Sequence, residues 1–412
     1  MIALLLAATT ALRVVTLEGA IETALRQHPD LRAADAQVEQ ARARADVARA
    51  PLLPQLDLSA RYTASAGSRP GEGFRSYDDG HSYSAGLDAS LLLWDFGRTR
   101  DRWRAARASA EAQGHDEEVT RRDVRLAAEL AFFDALAARR LTAIAKESQA
   151  SEERHLAEIE KFVKVGTRPE IDLVRARTAL ATARGGLIRA ENDEAAARAR
   201  LAGAMGVTSS AFTLADAVPG QLGDEDRGTA QLVDEAVARR PELAALAASR
   251  DAQVLTVRAS ERGNWPSLNL GAGVSTGGVR FDGPGWDASV GVVLSWPIFD
   301  GLATRATARA ERMSLVVLDA QTEALRQRVW LELDEARLAV RSAKADQVAA
   351  VEAAAAAREL LHLAERRYQE GLGNVIELSD AQLANTTAAA NEVRVTYTLA
   401  GARARLRWAL GM

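Results

Sequence analysis

Residues 302–370 contain neither glycine nor proline, and residues 98–165 contain no proline and one glycine, Gly114. These are the two residue types that most disfavour a helix interior. At 1.5 Å per residue, the 68 residues from Arg98 to Val165 would span about 100 Å as one helix, far more than a bilayer needs. Apolar spacing such as Leu126, Leu130, Phe133, Ala137 and Leu318, Thr322, Leu325, Val329 follows the 4-3-4 rhythm of coiled-coil packing. Very long paired helices must therefore dominate the fold. Composition agrees, since 48% of the 412 residues are hydrophobic but only 5% are aromatic. Alanine-rich helices pack closely through small side chains and build no single thick core.

The chain repeats itself. Gln27-His28-Pro29-Asp30-Leu31 matches Arg239-Arg240-Pro241-Glu242-Leu243, and Pro54-Gln55-Leu56-Asp57-Leu58 matches Pro266-Ser267-Leu268-Asn269-Leu270, both at an offset of 212 residues. Further on, Trp94-Asp95 matches Phe299-Asp300, and Thr99-Arg100 matches Thr304-Arg305. Gly166 matches Gly371, Asp172 matches Glu377, and Gly206 matches Gly411, all at an offset of 205. The change of seven between Pro54 and Asp95 places a longer loop in the first half. The domains expected are a first repeat, residues 16–206, and a second, residues 229–412, joined by a linker at 207–228. Each repeat opens with a helix interrupted near a proline (Pro29, Pro241). A strand pair follows (54–94, 266–297), and then a long helical hairpin with its tip near 166 or 371.

In the strand pairs the hydrophobic period falls to two. Leu56, Leu58, Ala60, Tyr62 and Ala64 alternate with polar residues. So do Tyr83, Ala85, Leu87, Ala89, Leu91 and Leu93, then Leu268, Leu270, Ala272 and Val274, then Trp286, Ala288, Val290, Val292, Leu294 and Trp296. Four strands with one apolar and one small-polar face fit a transmembrane β-barrel, although a half-buried soluble sheet alternates equally well. Aromatics favour the membrane reading. Tyr62, Tyr83, Trp94, Trp265, Trp286 and Trp296 sit at strand ends, as interfacial girdles require. The connecting segments Gly67–Gly80 and Gly277–Gly285 carry the Gly, Pro and charge of extracellular loops. Four strands cannot close a barrel, and lipid tolerates no open sheet edge. Several chains would have to share one barrel, and three would supply twelve strands.

At the second tip, Asn374 can cap the returning helix, and Glu377 stands three residues on, the spacing of a capping box. Asp380 follows on the same helix face. These carboxylates can serve the helix alone, through capping and its dipole. On the axis of a symmetric oligomer they would instead form acidic rings.

Other function classes find little support. The net charge of -4, from 52 basic and 56 acidic residues, gives nothing that suggests nucleic acid. The absence of cysteine excludes disulfides and thiolate metal sites. The histidines at 28, 81, 115, 155 and 362 lack ligand spacing. Gly277-Gly278 and the Gly371 turn are too short for a phosphate loop. No catalytic, cofactor or metal site is expected, and the chain is not read as an enzyme. Residues 1–15 read as a signal-peptide remnant without its basic start, or as the beginning of a short buried helix.

These features together resemble the TolC-like outer membrane factor family over essentially the whole chain. The paired Pro-x-Leu-x-Leu strand starts carry the likeness, with Trp94-Asp95-Phe96-Gly97 and Phe299-Asp300-Gly301 after the second strands and the tips at Gly166 and Gly371. The resemblance implies an α+β membrane protein, a homotrimer with a twelve-stranded barrel in outer-membrane lipid and an α-helical periplasmic tunnel. It implies a passive duct of a tripartite efflux or type I secretion system. Its partners would be a periplasmic adaptor (membrane fusion) protein and an inner-membrane RND or ABC transporter. By the same resemblance Glu377 and Asp380 form the pore aperture, Tyr368 and Asp172 belong to a closing clasp, and Gly166 and Gly371 mark adaptor-docking tips. The family's best-known member has an arginine two residues after the second-tip glycine, where this chain has Gly373. The alternative is a structural trimeric coiled-coil surface protein. It calls for sustained heptads and one terminal anchor, whereas here strand pairs recur mid-chain.

Overall fold

The computed structural model describes residues 13–67, 78–217, 220, 223, 225, 227–279 and 285–412. Most of both loops between paired strands, and most of the expected signal remnant, lie outside these residues. In chain order the elements are β1 (Arg13–Val15), α1 (Leu17–Gln27), α2 (Pro29–Arg49), β2 (Gln55–Gly67), β3 (Asp78–Trp94), α3 (Arg98–Lys164), α4 (Glu170–Ala204) and β4 (Phe212–Leu214). They continue with α5 (Thr229–Arg239), α6 (Pro241–Glu261), β5 (Ser267–Gly278), β6 (Gly285–Ser295), α7 (Ala303–Gln369) and α8 (Val375–Ala409). Both α3 and α7 have 67 residues, and both α4 and α8 have 35. No described helix is long and apolar enough to cross a membrane.

Local chemistry sets the boundaries. Thr16 caps α1 by accepting from the Gly19 N–H at 3.0 Å. Pro29 and Pro241 each restart a helix after one extended residue, His28 or Arg240, because proline suits the first helical position and no interior one. Asp95 accepts from the Thr99 N–H at 2.7 Å, and Asp300 from the Thr304 N–H at 2.8 Å, so one carboxylate opens each of the longest helices.

The chain divides into two compact units that each draw on both halves of the sequence. One contains residues 36–116 and 242–324. Its centre is a four-stranded sheet of order β2-β3-β5-β6, antiparallel throughout. Leu58 stands opposite Leu87, Leu87 opposite Val274, and Ala272 opposite Val290, so the apolar positions form one continuous face. That face is bare in the single chain: Leu58 is 81% exposed and Val290 77%. The register slips between Leu92 and Trp94, and Trp94 takes the place opposite Leu268 where alternation points to Leu93. Strand β3 also begins earlier than its clear alternation, at Asp78. Beside the sheet, Arg262 pairs with Asp101 across the helices, and the Trp296 indole donates to the Asn264 carbonyl at 3.1 Å.

The other unit contains residues 1–35, 117–241 and 325–412. Two short strands absent from the sequence reading, β1 and β4, pair in parallel, Val15 with Leu214. They bring Val15, and Phe212 and Leu214 of the expected linker, into a core with Phe132, Leu136, Leu201 and Met205. This packing explains why the buried line on α3 is Val124, Ala128, Phe132 and Leu136, while Leu126 and Leu130 stay half-buried. A second cluster joins Leu232 and Ala236 to Val329, Leu333, Leu399 and Leu406. A third lies at the hairpin tips.

Candidate functional site

Both tips use one backbone device. The Gly166 N–H bonds the Val163 carbonyl and the Thr167 N–H bonds the Phe162 carbonyl, each at 3.0 Å. At the second tip the Gly371 N–H reaches Tyr368 O and the Leu372 N–H reaches Arg367 O. This six-to-one and five-to-two pattern needs a left-handed residue, and φ is +77° at Gly166 and +71° at Gly371. A Cβ at either glycine would meet nothing within 4 Å, so both tips are open on their outer side. Gly373 is different. A Cβ there would lie 3.1 Å from Tyr368 N and 3.2 Å from Arg367 C, so this residue is small because the chain doubles back against α7.

The first turns of α4 and α8 diverge in chemistry. Pro169 precedes α4, and Asp172 at its third position is 6% exposed. Asn374 caps α8, its side chain accepting from the Glu377 N–H at 2.8 Å. Only half of the expected capping box forms, because the Glu377 carboxylate accepts from Arg367 Nε at 2.8 Å. Asp380 is exposed and shares a groove of about 510 Å³ with Val174, Arg175, Ile376 and Leu383. Arg175 and Asp380 occupy equivalent positions of the two hairpins and carry opposite charge.

Tyr368 is 5% exposed, in a core with Ile159, Ala176, Ala364, Val375, Leu378 and Ala381. Asp172 and Tyr368 are thus brought into one tip. No hydrogen bond joins them, and the Tyr368 hydroxyl has no partner. The ring instead carries the Arg168 guanidinium 4.9 Å from its centroid and His155 edge-on at 5.4 Å. Burial pushes the Tyr368 phenol up, Arg168 draws it back, and Asp172 and Glu158 add to the rise. Sequence reasoning missed His155, Arg168 and Arg367. Arg367 alone left a signal, a cation in the last turn of a helix facing a carboxylate across a glycine turn. Among the described residues no group of three or more His, Asp or Glu side chains is placed to hold a metal ion.

The family described as outer membrane efflux protein matches residues 20–207 and 232–412. The chain belongs to the outer membrane efflux protein family. Within it, the chain is 29% identical over 383 residues to the protein CyaE of Bordetella pertussis, covering 88% of this chain and 77% of that one. It is 26% identical over 407 residues to the pyoverdine export outer membrane protein OpmQ of Pseudomonas putida, covering 96% and 85%. A crystal structure of a membrane protein from Pseudomonas aeruginosa superposes with a TM-score of 0.83 at 23% identity, over 96% of this chain and 92% of that one. The TolC-like resemblance read from the strand starts and tips is therefore correct. The outer-membrane channel OprN shares this fold, with a TM-score of 0.81 at 23% identity over 96% of this chain and 89% of that one, and the hairpins α3–α4 and α7–α8 supply its helical part here.

Proposed function

We propose that the chain forms a homotrimeric outer-membrane duct that conducts substrates passively from an inner-membrane transporter and adaptor to the outside. The open four-stranded sheet carries this reading. Its apolar face is bare, and its edge strands β2 and β6 are unpaired within the described residues. A bare apolar face suits lipid, whereas unpaired edges are not tolerated there unless they are joined. Three antiparallel steps make β2 and β6 antiparallel to each other, so β6 of one copy continues into β2 of the next with the alternation intact. Three copies would close twelve strands. The paired helix lengths at an offset of 205 residues support an internal duplication with repeats 16–206 and 229–412.

On this reading the helical hairpins line a periplasmic tunnel, and its closed end is the tip. Glu377 and Asp380 gather into acidic rings at the aperture. Tyr368 and Asp172 belong to the clasp that holds it shut, and the open sides of Gly166 and Gly371 receive the adaptor. The charged part of the clasp falls to Arg168 and Arg367, both at the tips, and not to position 373. The duct itself catalyses no reaction and takes its energy from the transporter. Cross-linking of the protein purified from outer membranes, followed by gel analysis with and without heating, tests the assembly. A heat-sensitive trimer is expected, and a stable monomer in the membrane fraction contradicts the reading.

A further inference from the structure

The aperture and docking roles leave a buried polar seam of the tip unused. Four buried atoms there have no hydrogen-bond partner: Glu152 Oε2 and His155 Nε2 on α3, Tyr368 Oη on α7 and Gln382 Oε1 on α8. Glu152 and His155 share a helix face. Glu152 and Gln382 also line a cavity of about 150 Å³ with Arg154 and Glu365, which reaches to within one helical turn of His155. Orphaned polar atoms weaken the packing that holds them, so this seam is the part of the tip most easily parted.

His155 is the group in it that changes charge near neutral pH. It is 5% exposed, and its ring meets the Tyr368 ring edge-on, with centroids 5.4 Å apart and planes at 64°. Charged groups reach it from three sides: Glu158 on its own helix, Asp172 from α4, and Arg168 from the first tip through the shared Tyr368 ring. Leu378 and Ala381 of α8 belong to the same tip core as the Tyr368 ring that His155 meets. We propose that His155 is a proton-operated latch on the closed tip, resting on the reading of that tip as the closed end of the duct. Neutral imidazole fills the space beside Tyr368. Imidazolium would bury a charged N–H with no acceptor at Nε2, and Asp172 offers it a partner away from the Tyr368 ring edge.

Burial pushes the imidazole below its ordinary value, and Glu158 and Asp172 only partly offset this. The packed tip therefore favours neutral His155, and its packing is weakened as pH falls from the ordinary histidine value toward the depressed one. Glu152 works in the opposite sense. Burial raises its carboxyl, so acid favours its packed, protonated form.

The test is the time-averaged conductance of the full trimer in planar bilayers, with the tip side taken from about pH 7.5 to about pH 5.5. Wild-type conductance is expected to rise, by up to about tenfold for each pKa unit by which packing depresses the imidazole. His155→Phe keeps an aromatic edge and His155→Gln keeps a polar group. Both are expected to be flat over this range, while Glu152→Gln retains the rise. A flat wild-type profile, or a wild-type rise in both His155 variants, overturns the latch. Tyr368→Ala at about pH 7.5 separates the underlying reading. Raised conductance upholds the tip as the gate, whatever His155 does. Unchanged conductance overturns gate and latch together.

Discussion

Glu377 is committed twice within its own hairpin, its N–H to Asn374 and its carboxylate to Arg367. Each commitment can be removed separately. Asn374→Ala takes away the cap and should lower stability by about 1 kcal/mol, read as a shifted denaturant midpoint. Arg367→Ala removes an ion pair whose side chains are 54% and 39% exposed, and such pairs contribute about 1 kcal/mol at most. Trimer stability should hardly change. Cation selectivity should rise, because the Glu377 charge is no longer compensated beside the opening. Equal selectivity would show that Glu377 does not face the ions. The carboxylates at 377 and 380 could be read from the sequence because a capping position and helical spacing are local patterns. Arg367 left a fainter signal, a cation in the last turn of α7 before the glycine turn. Arg168 and His155 left none, because both meet Tyr368 from the other hairpin and no spacing within one helix encodes which hairpin faces which.

Four glycines end the four longest helices, and the structure separates them into two kinds. Gly166, Gly206, Gly371 and Gly411 all have φ between +71° and +82°. A Cβ at Gly166 or Gly371 meets nothing, whereas at Gly206 it lies 2.8 Å from His28 Cα and at Gly411 2.8 Å from Arg239 Cβ. Replacement of Gly166 or Gly371 by a bulky residue should cost only about 1–2 kcal/mol of backbone strain. It should leave the trimer intact while blocking export at the docking surface. Gly206→Ala and Gly411→Ala should instead reduce the yield of assembled trimer in outer membranes. Loss of the trimer in the Gly166 and Gly371 variants would assign those glycines to folding. The long helices and their turns were legible because glycine and proline are absent from the one and present in the other. The strands β1 and β4 were not, since three residues are too few to display a period. The Leu93 bulge was hidden for a related reason, because alternation reports a face only while the register holds.

For the whole molecule, the account requires that three copies share one barrel and bring their second tips together at a single opening. The repeat and the open, bare-faced sheet support the shared barrel, and the family membership agrees with it. The opening itself rests on Glu377 and Asp380, since three copies would set six carboxylates around one narrow path. Their summed field would favour cations and concentrate them at the mouth. The most direct measurement is the reversal potential of single channels in planar bilayers under a salt gradient, for wild type and for Glu377→Ala with Asp380→Ala. Wild type should be cation-selective and blocked by trivalent cations applied from the tip side, and the double variant should lose much of both. Wild-type selectivity and wild-type block in the double variant would contradict the claim that the second tip is the mouth of the duct.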